Sequence, residues 1–246
     1  MNRSRKTSAV VGAVVVGALA VCGPPAAARD GETLWGSAVI APGREGIVEV
    51  AGVEGAGPGG ALTLTAPRGT RVTGAPLDAP GHRGWIAADG RTGTYTVTAH
   101  GGGQPREGRT FPFVLAVPAD AVPGTRLRDC GLRITDARGV RQATGRCTVT
   151  VGLPGPTLTR PLSGVPLDAR PETSGTAHPG AQVTVRDKDE REVCATTAAP
   201  DGTWTCTPGP ALPAGANRLQ AVATLNGVSA ASEQIDIAVA EAGADQ

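Results

Sequence analysis

From residue 31 onward the chain is built of short runs of alternating apolar and polar residues, separated by clusters of glycine, proline and aspartate. No window of useful length shows the 3.6-residue period of a helix; the two-residue period of strands recurs instead. Strands are predicted over 34–40, 46–53, 62–66, 85–87, 94–99, 111–117, 132–136 and 146–151, with glycine- and proline-rich loops at 54–60, 76–84 and 101–108. The segment 152–156, GLPGP, then punctuates the chain as a short, stiff connector. A second series is predicted over 157–159, 172–177, 182–187, 192–197, 203–207, 218–225 and 228–239, with Asn226-Gly227 as a two-residue hairpin turn. The expected architecture is all-β: residues 31–152 as one sandwich, 153–240 as a second, and 241–246 as a tail.

The N-terminus breaks this pattern. Arg3, Arg5 and Lys6 precede thirteen uncharged apolar residues at 9–21, AVVGAVVVGALAV. Pro24 and Pro25 follow, and then Ala26-Ala27-Ala28. Thirteen residues fall short of the ~20 that span a bilayer as a helix. The pattern is that of an export signal over 1–28, read by signal peptidase at Ala26 and Ala28. Cys22 ends the apolar run where a lipid-modified cysteine would lie, but Val21 before it is branched rather than small. Two locations follow: secretion, or lipid anchoring at the cell surface through Cys22. The mature chain carries no transmembrane segment in this reading. Removing the three basic residues of 1–28 leaves 20 basic against 22 acidic side chains, a net charge of −2. No basic patch remains for nucleic acid.

Four further cysteines stand in a chain expected to be exported: Cys130, Cys147, Cys194 and Cys206. An even count outside the cytoplasm reads as disulfides, and hairpin geometry selects the pairing. In 130–151, Cys130, Leu132 and Ile134 share one face, as do Cys147, Val149 and Val151 on the return. Folding at Ala137-Arg138-Gly139-Val140 brings Cys130 against Cys147 and both apolar sets to one side; a slip of one residue would bury arginines. In 193–206, VCATTAAPDGTWTC, folding at Pro200-Asp201-Gly202 predicts Cys194 opposite Cys206 and Thr196 opposite Trp204. Each bridge closes a short loop, worth ~3 kcal/mol by loop entropy. Zinc spacing and a C-x-x-C redox pair are absent, and the expectation is no metal and no cofactor.

Ser174–Val185, SGTAHPGAQVTV, with the Asp201–Trp204 turn and strand and the Leu212–Gly215 turn, resembles bacterial immunoglobulin-like modules of secreted and surface proteins. The resemblance covers roughly 156–240 and implies an immunoglobulin-like sandwich. Such modules often carry a glycine in the turn after the first valine strand; Asp187-Lys188-Asp189-Glu190-Arg191 lacks it, which speaks against calcium at Asp187 and Asp189. Residues 111–127, followed by ITDARG, are more loosely similar to β-sandwich repeats of secreted bacterial wall proteins.

Candidate chemistry is sparse. No serine stands in G-x-S-x-G, and no phosphate loop is present. Of the six aromatics beyond residue 28, Tyr95, Phe111, Phe113 and Trp204 occupy core positions of strands, while Trp85 follows a loop and is the candidate for an exposed contact. The function expected is non-catalytic: a monomer that binds, adheres or spaces at or outside the bacterial surface, its partner an unknown protein or cell-wall carbohydrate. The alternative is a secreted hydrolase using acids near His82 or His100. A small protease inhibitor is compatible with a stapled β-domain but has no residue to support it.

Overall fold

A computed structural model describes residues 34–53, 57–77, 81–98 and 110–241. The expectations on Cys22, Ala26, Ala28 and His100 lie outside the described residues, which hold eighteen strands and no helix. The first ten are β1 (Leu34–Ile40), β2 (Glu45–Ala51), β3 (Ala61–Thr65), β4 (Arg71–Gly74), β5 (His82–Ile86), β6 (Thr92–Val97), β7 (Phe111–Ala116), β8 (Arg126–Leu127), β9 (Gly131–Thr135) and β10 (Arg141–Val151). They make one hydrogen-bonded path, β4-β7-β2-β1-β10-β9-β3-β6-β5, with β8 added to β10.

The path folds over its own core. Tyr95 of β6 sits 5.5 Å from Phe111 and 4.9 Å from Phe113 of β7, centroid to centroid. Around these rings pack Leu34, Val48, Leu64, Ile134 and Val149, all buried. The Tyr95 hydroxyl donates to the Pro112 carbonyl and accepts from the Leu77 N–H at 3.1 Å, so a polar tip inside the core is satisfied. The two halves of the path are joined by β1 and β10, which run parallel over seven paired positions. Gly145 permits that approach: a Cβ there would overlap the Leu34 backbone.

The hairpin of β9 and β10 forms as its pattern requires. Leu132 pairs with Gly145 and Gly131 with Arg146, the Asp136–Val140 turn closes it, and Cys130 and Cys147 are joined with Cα atoms 5.1 Å apart. Both cysteines are buried.

The second series is β11 (Pro166–Leu167), β12 (Thr173–Thr176), β13 (Gln182–Arg186), β14 (Glu192–Thr197), β15 (Thr203–Cys206), β16 (Gly215–Leu225), β17 (Val228–Ala231) and β18 (Ile235–Val239). One sheet runs β11-β18-β16-β13-β14 with β17 beside β16; the other pairs β12 with β15. A separate core lies between them, built on Val183, Val185, Leu219, Ala221, Ala223 and Trp204.

Three expectations are revised here. Cys194 and Cys206 are joined, with Cα atoms 6.1 Å apart, but β14 and β15 are not paired to each other. Thr196 pairs with Val183, and Trp204 with Gly175. The turn at 199–203 closes through Ala199 N–H to Thr203 O, 2.8 Å; beyond it the strands part into different sheets, so the bridge ties layer to layer. The predicted strand 228–239 is two strands, because Ser232 interrupts it. Its hydroxyl accepts the Ala221 N–H at 3.0 Å and donates to the Glu233 carbonyl, replacing a ladder bond with a side chain. Residues 157–159 are no strand, though Thr157 and Thr159 N–H groups donate to Thr176 O and Ser174 O, each at 2.8 Å.

Candidate functional site

The alternation in β1 and β2 decides which side chains face outward. Leu34 and Ile40 of β1 and Val48 and Val50 of β2 enter the core; Trp35, Ser37 and Val39, with Ile47 and Glu49, must then face solvent. Trp35 is 52% exposed, Ile47 54% and Val39 69%. These exposures are large for such side chains.

Strand register sets the outward groups in rows. Arg146, Trp35 and Ala51 form the first row, and Thr148, Ser37, Glu49 and Pro112 the second. In the third, Thr150 pairs with Val39, and Ile47 with Val114. Strands lie ~4.8 Å apart and successive rows about 7 Å apart along them. A polar row bearing a carboxylate and two hydroxyls is therefore flanked by an aromatic row and an aliphatic row. Trp35, Ser37, Ile47, Glu49, Ala51 and Thr110 enclose a shallow concavity of about 310 Å³. No salt bridge to Glu49 occurs among the described residues.

Such a face offers a flat ring for stacking, aliphatic area for desolvation and an acceptor carboxylate between them. Ser37 stands opposite Glu49, and these rows carry neither a histidine nor a second carboxylate beside them. A larger concavity of about 600 Å³ lies among Pro161, Leu162, Val165, Asp168 and Glu172. Its walls are largely irregular chain, whereas the smaller one stands mostly on paired strands that fix side-chain spacing.

The residues singled out by sequence do not converge. Trp85 lies on β5 at the end of the sheet path and is 49% exposed, on a strand separate from the β1–β2 face. The His82 ring meets Phe111 edge-on at 5.3 Å, a packing contact at the core margin. Among the described residues no three His, Cys, Asp or Glu side chains group to hold a metal. Asp187 Oδ1 accepts from the Asp189 and Arg191 N–H groups, each at 2.9 Å, which makes it the pivot of its own turn. Cys130, Cys147, Cys194 and Cys206 sit in bridges.

Among the described residues two side chains depart from ordinary acidity, and both lie within turns or the core. Burial pushes the Tyr95 phenol up, against the Leu77 N–H, which lowers it. The Thr203 backbone N–H, followed by its hydroxyl, holds the Asp201 carboxyl down.

Trp35 escaped the sequence reading although its signal was there. The register of LWGSAVI puts Leu34 and Ile40 on one side and the indole on the other.

The family described as bacterial Ig domain matches residues 167–241, the stretch that holds most of the second core. A comparison with curated proteins finds no match. Among solved structures, the BSP domain of a biofilm associated protein aligns at 18% identity over 86% of this chain and 30% of that chain, TM-score 0.30. BcpA, the major pilin subunit of Bacillus cereus, aligns at 14% identity over 83% of this chain and 63% of that one, TM-score 0.33. The sixth cohesin of Acetivibrio cellulolyticus scaffoldin B aligns at 14% identity over 49% of this chain and 99% of that one, TM-score 0.32. Superpositions this loose transfer neither fold detail nor function.

Proposed function

We propose that the chain is a non-catalytic, exported bacterial binding protein whose first sandwich presents the outer face of β1 and β2 to a partner at or outside the cell surface. One observation carries this reading: Trp35, Val39 and Ile47 stand exposed on rigid, hydrogen-bonded strands around the Ser37–Glu49 row. Exposed aromatic and aliphatic side chains cost solubility, and their place on either side of a polar row that bears a carboxylate suits a contact surface. The match of residues 167–241 to the bacterial Ig domain supports a second sandwich that carries and positions the first. The segment 1–28 supports export, with cleavage after Ala28 or, alternatively, lipid anchoring through Cys22. The partner class is a protein or a cell-wall carbohydrate, since both present apolar area edged by polar groups.

The test is retention of the mature chain, residues 29–246, on cell-wall material and on immobilised secreted proteins, beside Trp35→Ala and Trp85→Ala. Loss with Trp35→Ala alone supports the β1–β2 face. Loss with Trp85→Ala alone moves the contact to the end of the sheet path. Equal retention of all three, or none, overturns the binding role of this face and leaves a spacer.

A further inference from the structure

The hairpin of β16 and β17 does more than complete its sheet. Leu225 pairs with Val228, and the two tip residues, Asn226 and Gly227, have φ of 49° and 78°. Both lie in the left-handed region that a two-residue hairpin turn requires and that Asn-Gly satisfies. The tip reaches a turn of the first region. Asn226 Nδ2 donates to the Pro123 carbonyl at 3.0 Å, across 103 residues of sequence. The next residue, Gly124, has φ of 84°, and a Cβ there would stand 2.5 Å from Asn226 O and 2.6 Å from Asn226 Cβ. The turn is pressed so closely to the hairpin tip that only a hydrogen fits.

The receiving turn is itself anchored. Gly124 N–H donates to Val151 O and Val151 N–H to Thr125 O, each at 2.8 Å. Val151 leads into the connector, whose Gly152 N–H donates to Ile40 O at 2.8 Å. Leu153 is already buried in the second core. At Gly155 a Cβ would lie 3.0 Å from Ala231 O at the far end of β17. The hairpin is thus approached at its tip by the first region and at its other end by the connector. Those points are about 16 Å apart at strand rise. A single contact would be a pivot; two separated by that length oppose rotation.

We infer that the Asn226 tip is a latch that locks the two regions into one rigid body by docking on the Pro123–Gly124 turn. Gly/Pro-rich connectors leave neighbouring domains free to move by default; here the hairpin removes that freedom. The lock goes beyond the binding face and holds whether or not that face has a partner.

Residual dipolar couplings on the mature chain test it. Both regions of the wild type share one alignment tensor. Asn226→Asp keeps the size and the turn but sets an acceptor against the Pro123 carbonyl. Asn226→Gly keeps the left-handed turn and removes the side chain, so it decides the matter if the first variant disturbs the hairpin. Asn226→Gly is expected to lower the ratio of docked to undocked molecules about fivefold, the effect of one neutral hydrogen bond. Asn226→Asp is expected to lower it further because two acceptors then face each other, and both are expected to split the tensors. Two independent tensors in the wild type, or one shared tensor in both variants, overturns the latch.

Discussion

The bridge Cys130–Cys147 joins two residues directly across a hairpin, inside a core that also holds Tyr95, Phe111 and Phe113. The bridge Cys194–Cys206 runs from β14 to β15, strands of different sheets, beside a core whose one aromatic side chain is Trp204. The first reinforces a pairing that hydrogen bonds already make. The second supplies a connection that no ladder provides, between a two-stranded layer and the sheet facing it. Where rings are plentiful the layers hold one another by packing; where there is a single indole, sulfur shares that task.

The largest expected effect comes from the indole. Trp204→Ala should cost ~3–5 kcal/mol, unfold residues 153–241 and leave residues 34–152 protected, as read by hydrogen exchange with mass spectrometry. Phe113→Ala removes a comparable ring, but Tyr95 and Phe111 remain against it, so the first region should stay folded. Equal protection in both regions after Trp204→Ala would abolish the contrast.

Removing either bridge by paired Cys→Ala substitution should cost ~3 kcal/mol by loop entropy. The order of attack by a reductant separates the bridges more sharply. Cys194 and Cys206 are half-buried while Cys130 and Cys147 are buried, so timed alkylation should label the second pair first. Simultaneous labelling of all four would show that burial does not protect the first bridge.

Tyr95→Phe should cost ~1–2 kcal/mol, because the Leu77 N–H loses its acceptor and the Pro112 carbonyl its donor. Burial raises the phenol above its ordinary value of 10.0. The neutral form is the one the fold favours, so its contribution is complete below that value and fades as pH rises through the raised one. Alkaline denaturation of the first region should lose this component in Tyr95→Phe.

The smallest effect belongs to Asp201. Hydrogen bonds from Thr203 lower its pKa, so its contribution is present above the ordinary carboxylate range and is lost as pH falls through the lowered value. Because the side chain is exposed, Asp201→Asn should shift acid unfolding of the second region only slightly.

Much of this comparison was legible in the sequence, for physical reasons. Alternation placed the strands because one face of each must be covered, and it fixed the β9–β10 register because a slip would bury Arg133 or Arg146. The β14–β15 relation was not legible: a turn at 199–203 is compatible both with a hairpin and with a crossing between sheets, and only packing on Trp204 decides between them. Strands β4, β8 and β11 hold two to four residues each, too few to display a period. The break at Ser232 came from one hydroxyl, invisible to a hydrophobic pattern. Trp35 lies within a strand rather than beside a loop, and its exposure follows from the neighbours it alternates with.

The parallel alignment of β1 and β10 has a mechanical consequence. The chain enters at Leu34, beside Gly145, and leaves from Val151, beside Ile40. Tension applied through the two termini of this region therefore draws the neighbouring strands in opposite directions along their length. The load is shared as shear by all seven paired positions, where an antiparallel arrangement loaded at one end would unzip bond by bond.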